Sequence, residues 1–252
     1  MLNVLKPAVA KIVGNLYNLT TPYKNFNIYK KRLIDTAFGE LGLEIHSFAD
    51  LGGVWNVDGS YTFYIFDHYK IEHAYLIDTN FNEAVYAKVA GYKNLTCCSA
   101  NFGDPELIGS LKHVDAVLMF DVLLHQVKPD WNEVLKAYSQ VTDNFIIFNQ
   151  QYTNAEHTVR LLDLGVDEYF NNVPASREQS PYKELFDRMY EMHPQHNRIW
   201  RDIHNVWQWG ITDGDLDLVM KSLGYVLQYK RSCGRFGTLK NFENHMFVYS
   251  RK

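Results

Sequence analysis

The run Phe48-Ala49-Asp50-Leu51-Gly52-Gly53-Val54-Trp55-Asn56-Val57-Asp58-Gly59 constrains this chain more than any other stretch. An apolar segment from Leu43 to Phe48 runs into an acid, then paired glycines, then a helical pattern from about Ser60. Downstream, Ala74-Tyr75-Leu76-Ile77 is a second apolar run that ends on an acid, Asp78. Strand, glycine turn, helix, strand and closing carboxylate is the order in which an α/β sheet grips a nucleoside. The glycines admit close approach of backbone, and the second carboxylate accepts hydrogen bonds from ribose hydroxyls. The dinucleotide spelling G-x-G-x-x-G is absent. An acid stands two residues before Gly52, and no third glycine falls in register.

The alternation continues through the first 149 residues. Residues 3–16 and 24–41 read as helices, the second carrying Ile28, Leu33, Ile34, Phe38 and Leu41 at helical spacing with Gly42 as its stop. After a first strand over 43–49 and a helix from Tyr61 to Tyr69, strands fall at Ala74–Ile77, Asn94–Ser99, Val114–Phe120 and Phe145–Phe148. Helical segments at Asn82–Ala90, Pro105–Leu111 and Trp131–Val141 separate them. Strands spaced by helices imply a parallel sheet with right-handed crossovers.

The pattern stops at residue 150. Residues 150–209 are polar and aromatic, hold Pro174, Pro181 and Pro194, and show no clear strand. That is too long for a plain connection, and it reads as a helical cap. Beyond it, Thr212 can cap a helix to Leu223 ended by Gly224, and Val226–Lys230 and Met246–Ser250 read as two strands about a glycine-containing loop. The expected fold class is therefore α/β: a doubly wound, mostly parallel seven-stranded sheet closed by a C-terminal antiparallel hairpin. The expected division is an N-terminal helical segment over 1–42, a core over 43–149 and 210–252, and the cap over 150–209.

The formal net charge of −4 argues against a general nucleic-acid binder, which carries a basic surface. Three cysteines, two of them the adjacent Cys97 and Cys98, give neither a disulfide framework nor a C-x-x-C pair. With no signal-peptide pattern and no apolar run of about 18 residues, a cytoplasmic protein that does not engage the membrane is expected.

The D-x-G opening at Asp50 and Gly52, the closing acid Asp78 and the terminal hairpin together resemble the class I S-adenosylmethionine-dependent methyltransferases, over about residues 45–149 and 212–252. That resemblance implies S-adenosylmethionine as cofactor. Asp50, Gly52 and Gly53 would then hold its methionine moiety, although Val54 stands where the family more often has a second glycine. Asp78 would take the ribose, unless it serves instead as a cap for the following helix. Asn101 and Phe102 fall where adenine is contacted, and Phe120 and Asp121 fall beside the sulfonium. His125 is the best-placed base, because an imidazole titrates near neutrality.

Within the cap, a helix from about Asn197 would set Ile199, Ile203 and Val206 on one face and Arg201, His204, Asn205 and Gln208 on another. Such a face, flanked by Trp200 and Trp207, suits a hydroxylated or anionic substrate, or is simply solvated. Arg198, Arg201 and Trp207 are the substrate-binding candidates, and His204 joins His125 and Asp121 as a catalytic one. His193, His196 and His204 lack an acidic partner pattern, so no metal is expected. The reading is methylation of a small polar acceptor, at oxygen on a sugar-like or anionic molecule, with a homodimer left open. The alternatives are an RNA or protein methyltransferase, a non-catalytic binding protein of the same fold, and an NAD-dependent oxidoreductase. The last needs a third loop glycine and a Tyr-x-x-x-Lys pair; Tyr182, Lys183 and Tyr225 do not provide it.

Overall fold

The five apolar segments form parallel strands: β1 (Ser47–Leu51), β2 (His73–Asp78), β3 (Leu95–Ser99), β4 (Val114–Phe120) and β5 (Thr142–Tyr152). All side chains of β1 and all but one of β4 are buried, as expected for parallel strands covered on both faces. The computed structural model describes residues 22–252, so the helix expected over 3–16 lies outside the described residues.

Helices alternate with these strands. In α1 (Ile28–Asp35), the Asn27 side chain accepts from the Tyr29 N–H at 2.8 Å, and the helix runs on into a wider five-residue turn, Thr36–Glu40. Then come α2 (Ser60–His68), α3 (Glu83–Val89), α4 (Pro105–Ser110) and α5 (Trp131–Tyr138). Asn82, not Asp78, caps α3, accepting from the Val85 N–H at 3.0 Å. Asp104 accepts from Glu106 N–H at the head of α4, where Pro105 needs no donor of its own.

The cap is less helical than expected. It holds two short strands, β6 (Val159–Arg160) and β7 (Trp209–Gly210), paired antiparallel, and two short helices, α6 (Val166–Asn172) and α7 (Tyr182–Leu185). No helix forms from Asn197. Asn197 has a left-handed φ of 49°, Ile199 is extended and bridges back to Met192, and only a 3-10 turn follows at Trp200–Asp202. The apolar spacing over so short a stretch was overridden by the left-handed Asn197 and by the pairing of Ile199 with Met192.

Past the cap come α8 (Asp213–Ser222), β8 (Tyr225–Arg235) and β9 (Phe242–Arg251). The Thr212 hydroxyl accepts from the Asp215 N–H at 3.3 Å, the cap expected there. The sheet order is β3-β2-β1-β4-β5-β9-β8, with β9 antiparallel to both β5 and β8. One face of the sheet packs α1 and α2 through Phe48, Leu76, Leu118 and Ile146. The other packs α5 and α8 through Val117, Met119, Phe145 and Ile147. A third cluster, with Leu124, Tyr169, Leu185, Ile203 and Phe242, holds the cap together.

Candidate functional site

Strand order reverses between β1 and β4, and the cleft lies there, at the carboxyl ends of the strands. Its volume is about 740 Å³, within the roughly 300–1,000 Å³ range of small-molecule sites. The turn after β1 forms its floor. Gly52 has φ of +70°, and a Cβ on it would come within 2.8 Å of Val122. At Gly53 a Cβ would lie 2.4 Å from the Asp50 carboxylate, so only glycine leaves room for that side chain beneath the loop.

Asp50 is 1% exposed and accepts from the Thr62 hydroxyl at 2.6 Å. Burial, with the Asp78 charge adding to it, pushes its pKa up to about 6 against the opposing Thr62 bond and Lys30 charge. Asp78 is more engaged than a ribose clamp alone would be. One of its oxygens accepts from the Val54 and Trp55 N–H groups at 2.9 and 2.8 Å, and the other from the Asn80 backbone and side chain at 2.9 and 3.1 Å. It therefore pins the glycine turn to the end of β2. Val54, at the position of the usual second glycine, points into the core at 1% exposure while its N–H goes to Asp78.

Asn101 and Phe102 stand on the third side. Asn101 Oδ1 accepts from the Gly103 N–H at 2.9 Å, which leaves the amide nitrogen for a ligand. The Phe102 carbonyl accepts from the Tyr138 hydroxyl at 2.8 Å. Phe120 packs edge-on against Tyr61 at 5.2 Å. Asp121 follows it with a left-handed φ of 60°, an uncommon conformation for a non-glycine residue. Its carboxylate pairs with Lys30 and accepts from Gln150 Nε2 at 2.6 Å.

Lys30 is a site residue that the sequence reading missed, as it also missed Gln126 and Tyr61 on the cleft wall. Its ammonium lies 5.2 to 5.8 Å from the ring centres of Tyr61, Phe148 and Phe120. Burial alone would lower its pKa, but the Asp121 charge, with Tyr61 and Asp50 behind it, holds it above the ordinary value. A signal was present: Lys30 occupies the same helical stripe as Leu33, Ile34 and Ala37, a lysine where the period calls for an apolar residue.

The cap and the segment after β4 make the remaining wall. His125 lines the cleft, and its Nδ1 lies 2.8 Å from the Val206 carbonyl. A carbonyl only accepts, so Nδ1 carries the proton and Nε2 keeps its lone pair. Burial lowers the His125 pKa, opposed by the Val206 bond and by Asp121. Arg198 and His204 line the cleft as expected, with Asn205 and Gln126 beside them. Arg201 and Trp207 do not. Arg201 reaches away to Asp163 and Tyr190 at 2.8 and 2.9 Å. Trp207 is buried in the cap, edge-on to Phe242 at 5.1 Å and to His125 at 6.3 Å, so it backs the histidine rather than facing a ligand. Both were placed by a helix that does not form. His193 packs at a tilt against His196 and Trp200, with ring centres 4.4 and 4.2 Å away, and among the described residues no acidic, histidine and cysteine group converges as a metal site.

No protein-family model matches the chain, and no curated protein does. Solved structures do. The N-terminal domain of EvdMO1, in the presence of S-adenosylhomocysteine and D-fucose, superposes at a TM-score of 0.55 with 13% identity, covering 96% of this chain and 97% of that one. The fold is that of the class I methyltransferases. The 1,6-didemethyltoxoflavin-N1-methyltransferase of Burkholderia thailandensis, with 1,6-didemethyltoxoflavin and S-adenosylhomocysteine bound, shares this fold at a TM-score of 0.56 and 9% identity, over 100% of this chain and 93% of that one. An O-methyltransferase family protein of the same organism does so at 0.51 and 14% identity, over 89% of this chain. The chain spans only 56% of that protein.

Proposed function

We propose that the protein is a methyltransferase that takes S-adenosylmethionine and methylates a small polar acceptor at oxygen. The observation that carries this is the joining, in one cleft, of the glycine turn pinned by Asp78 with a histidine whose Nε2 is unprotonated. The residues fit the cofactor. Gly52 and Gly53 offer a floor with no room for a Cβ, the Asp50 carboxyl beneath them gives acidic ground for a cationic group, and Asn101 keeps a free amide nitrogen for a base edge. When bound, the cofactor supplies a methyl group already activated by the sulfonium.

This chain then has two tasks. It must hold the acceptor oxygen in line with the methyl carbon, and it must take the hydroxyl proton. His125 Nε2 receives that proton, and the Val206 carbonyl holds the ring by its other nitrogen. The Asp121 charge favours the imidazolium formed, and Asp121 is itself held by Lys30 and Gln150. The acidic net charge and the enclosing cap favour a small acceptor over a polymer.

The test is release of S-adenosylhomocysteine from S-adenosylmethionine with a panel of small hydroxylated metabolites, and with RNA and a protein extract as separate arms. Turnover is expected only with small acceptors. His125→Asn is expected to lower kcat by roughly 10²- to 10⁴-fold, the usual contribution of a positioned base. In wild type the acidic limb of the rate profile is expected below the ordinary histidine pKa, because burial lowers that of His125. Turnover confined to the polymer arms, or a variant as fast as wild type, contradicts the proposal.

A further inference from the structure

The charges lining the cleft do not balance. Asp78 is consumed by backbone and Asn80 donors, and Lys30 is paired with Asp121. Asp50 is buried beneath the glycine turn and bound to Thr62. Arg198 remains, and among the described residues it has no carboxylate partner. It donates from Nη1 to the Val127 carbonyl at 3.0 Å, and the same nitrogen lies 2.6 Å from His204 Nε2. His204 Nε2 also lies 2.9 Å from the Val127 carbonyl, so it faces a donor and an acceptor at once and these contacts do not fix its tautomer. Burial, joined by the Arg198 charge and opposed by the Val127 bond, lowers the His204 pKa. His204 is then neutral, and Arg198 contributes a single positive charge whose Nε and Nη2 make no hydrogen bond within the described residues.

Two polar neighbours share this corner. Asn205 lines the cleft next to His204. Gln126, also on the cleft wall, is 4% exposed, and its Oε1 is buried without a partner. The buried Gln126 Oε1 is an acceptor with no donor among the described residues, which is costly unless a ligand hydroxyl or N–H reaches it. The corner belongs to the cap and to the segment after β4. The glycine turn, Asp78 and Asn101 all stand at the ends of β1 to β3, so the corner lies on the acceptor's side of the cleft.

The geometry points to a carboxylate subsite, in which Arg198 receives a carboxylate of the methyl acceptor through its open Nε–Nη2 edge. Two parallel N–H donors in one plane match two carboxylate oxygens. One cation with a neutral histidine matches a monoanion, whereas a dianionic phosphate calls for a second cation that this corner lacks. Asn205 and the Gln126 amide then read polar substituents near the carboxylate. This assignment rests on the methyltransferase reading above and narrows its acceptor from a small polar molecule to a small hydroxylated carboxylic acid.

The experiment separates the two claims. The protein is first saturated with S-adenosylhomocysteine and then titrated with 4-hydroxybenzoate, with its neutral isostere 4-hydroxybenzamide, and with phenyl phosphate, by calorimetry. Failure to bind S-adenosylhomocysteine rejects the methyltransferase reading and this subsite with it. If the nucleoside binds, 4-hydroxybenzoate is expected to bind at least tenfold more tightly than the amide. That preference is expected to vanish in Arg198→Gln and to survive in part in Arg198→Lys, with S-adenosylhomocysteine affinity unchanged within twofold in both. Equal affinity for acid and amide, no binding of either, tighter binding of phenyl phosphate than of the acid, or a preference retained in Arg198→Gln overturns the subsite while leaving the cofactor claim intact. The wild-type comparison of acid with amide stands even if the variants fold poorly.

Discussion

Asp50 shows what the site costs at the scale of a residue. Its carboxyl is held at 1% exposure with a pKa near 6 rather than the ordinary 3.8. A carboxyl whose folded pKa is raised adds stability below its unfolded value, and that contribution is lost as pH rises toward the folded one. Between about pH 4 and pH 6 the folded protein therefore forfeits up to about 3 kcal/mol at this one position, at roughly 1.4 kcal/mol per unit. Asp50→Asn keeps an oxygen for the Thr62 hydroxyl and removes the charge. Its stability advantage over wild type, measured by denaturant unfolding, is expected to be absent at pH 4 and to grow to about 1–3 kcal/mol at pH 7. No change in the difference with pH contradicts the account. A cationic ligand in the cleft repays an ionised Asp50, so strain at this position is consistent with a site built to hold positive charge.

Between elements, the firmest attachment runs from the cap to the segment that follows β4. The Leu124 carbonyl accepts from Gln208 N–H at 3.0 Å, the Gln126 carbonyl from Trp209 Nε1 at 2.6 Å, and the Val127 carbonyl from Arg198 at 3.0 Å. His125 returns a bond to Val206. Lys128 closes the strap on Asp202, which is 2% exposed and also binds Arg160 at 2.8 Å. These bonds tie the cap to the segment after β4 and set the His125 tautomer. Asp202→Ala leaves the largely buried Arg160 without its counter-charge, and such losses cost about 3–5 kcal/mol. The variant is expected to unfold at lower denaturant by about that amount, and amides of residues 123–128 are expected to exchange faster together with those of 199–209. Faster exchange in the cap alone would contradict the coupling.

For the molecule as a whole, the sheet was legible because its signals are local and repeated. Apolar runs such as Val114–Phe120, ended by glycine or acid turns, mark strands whether or not their neighbours are known. The terminal strands came out longer than their apolar cores, Tyr225–Arg235 and Phe242–Arg251, because an antiparallel pair extends through polar residues once one side faces solvent. The cleft residues on the sheet, from Asp50 to His125, were also legible, since the fold puts strand ends together. What sequence could not give depends on tertiary pairing. Lys30 meets Asp121 across 91 positions, and Arg201 and Trp207 face away because residues 192–202 form a bridge and a tight turn instead of a helix. The central claim is that this cleft holds an adenosyl-methionine cofactor against the Asp78-pinned turn. Calorimetric titration with S-adenosylhomocysteine tests it most directly, with NAD as control and Asp78→Asn beside the wild type. Micromolar binding by the wild type, at least tenfold weaker in a folded Asp78→Asn, with no uptake of NAD, is the predicted result; a well-folded wild type that takes up no S-adenosylhomocysteine contradicts it.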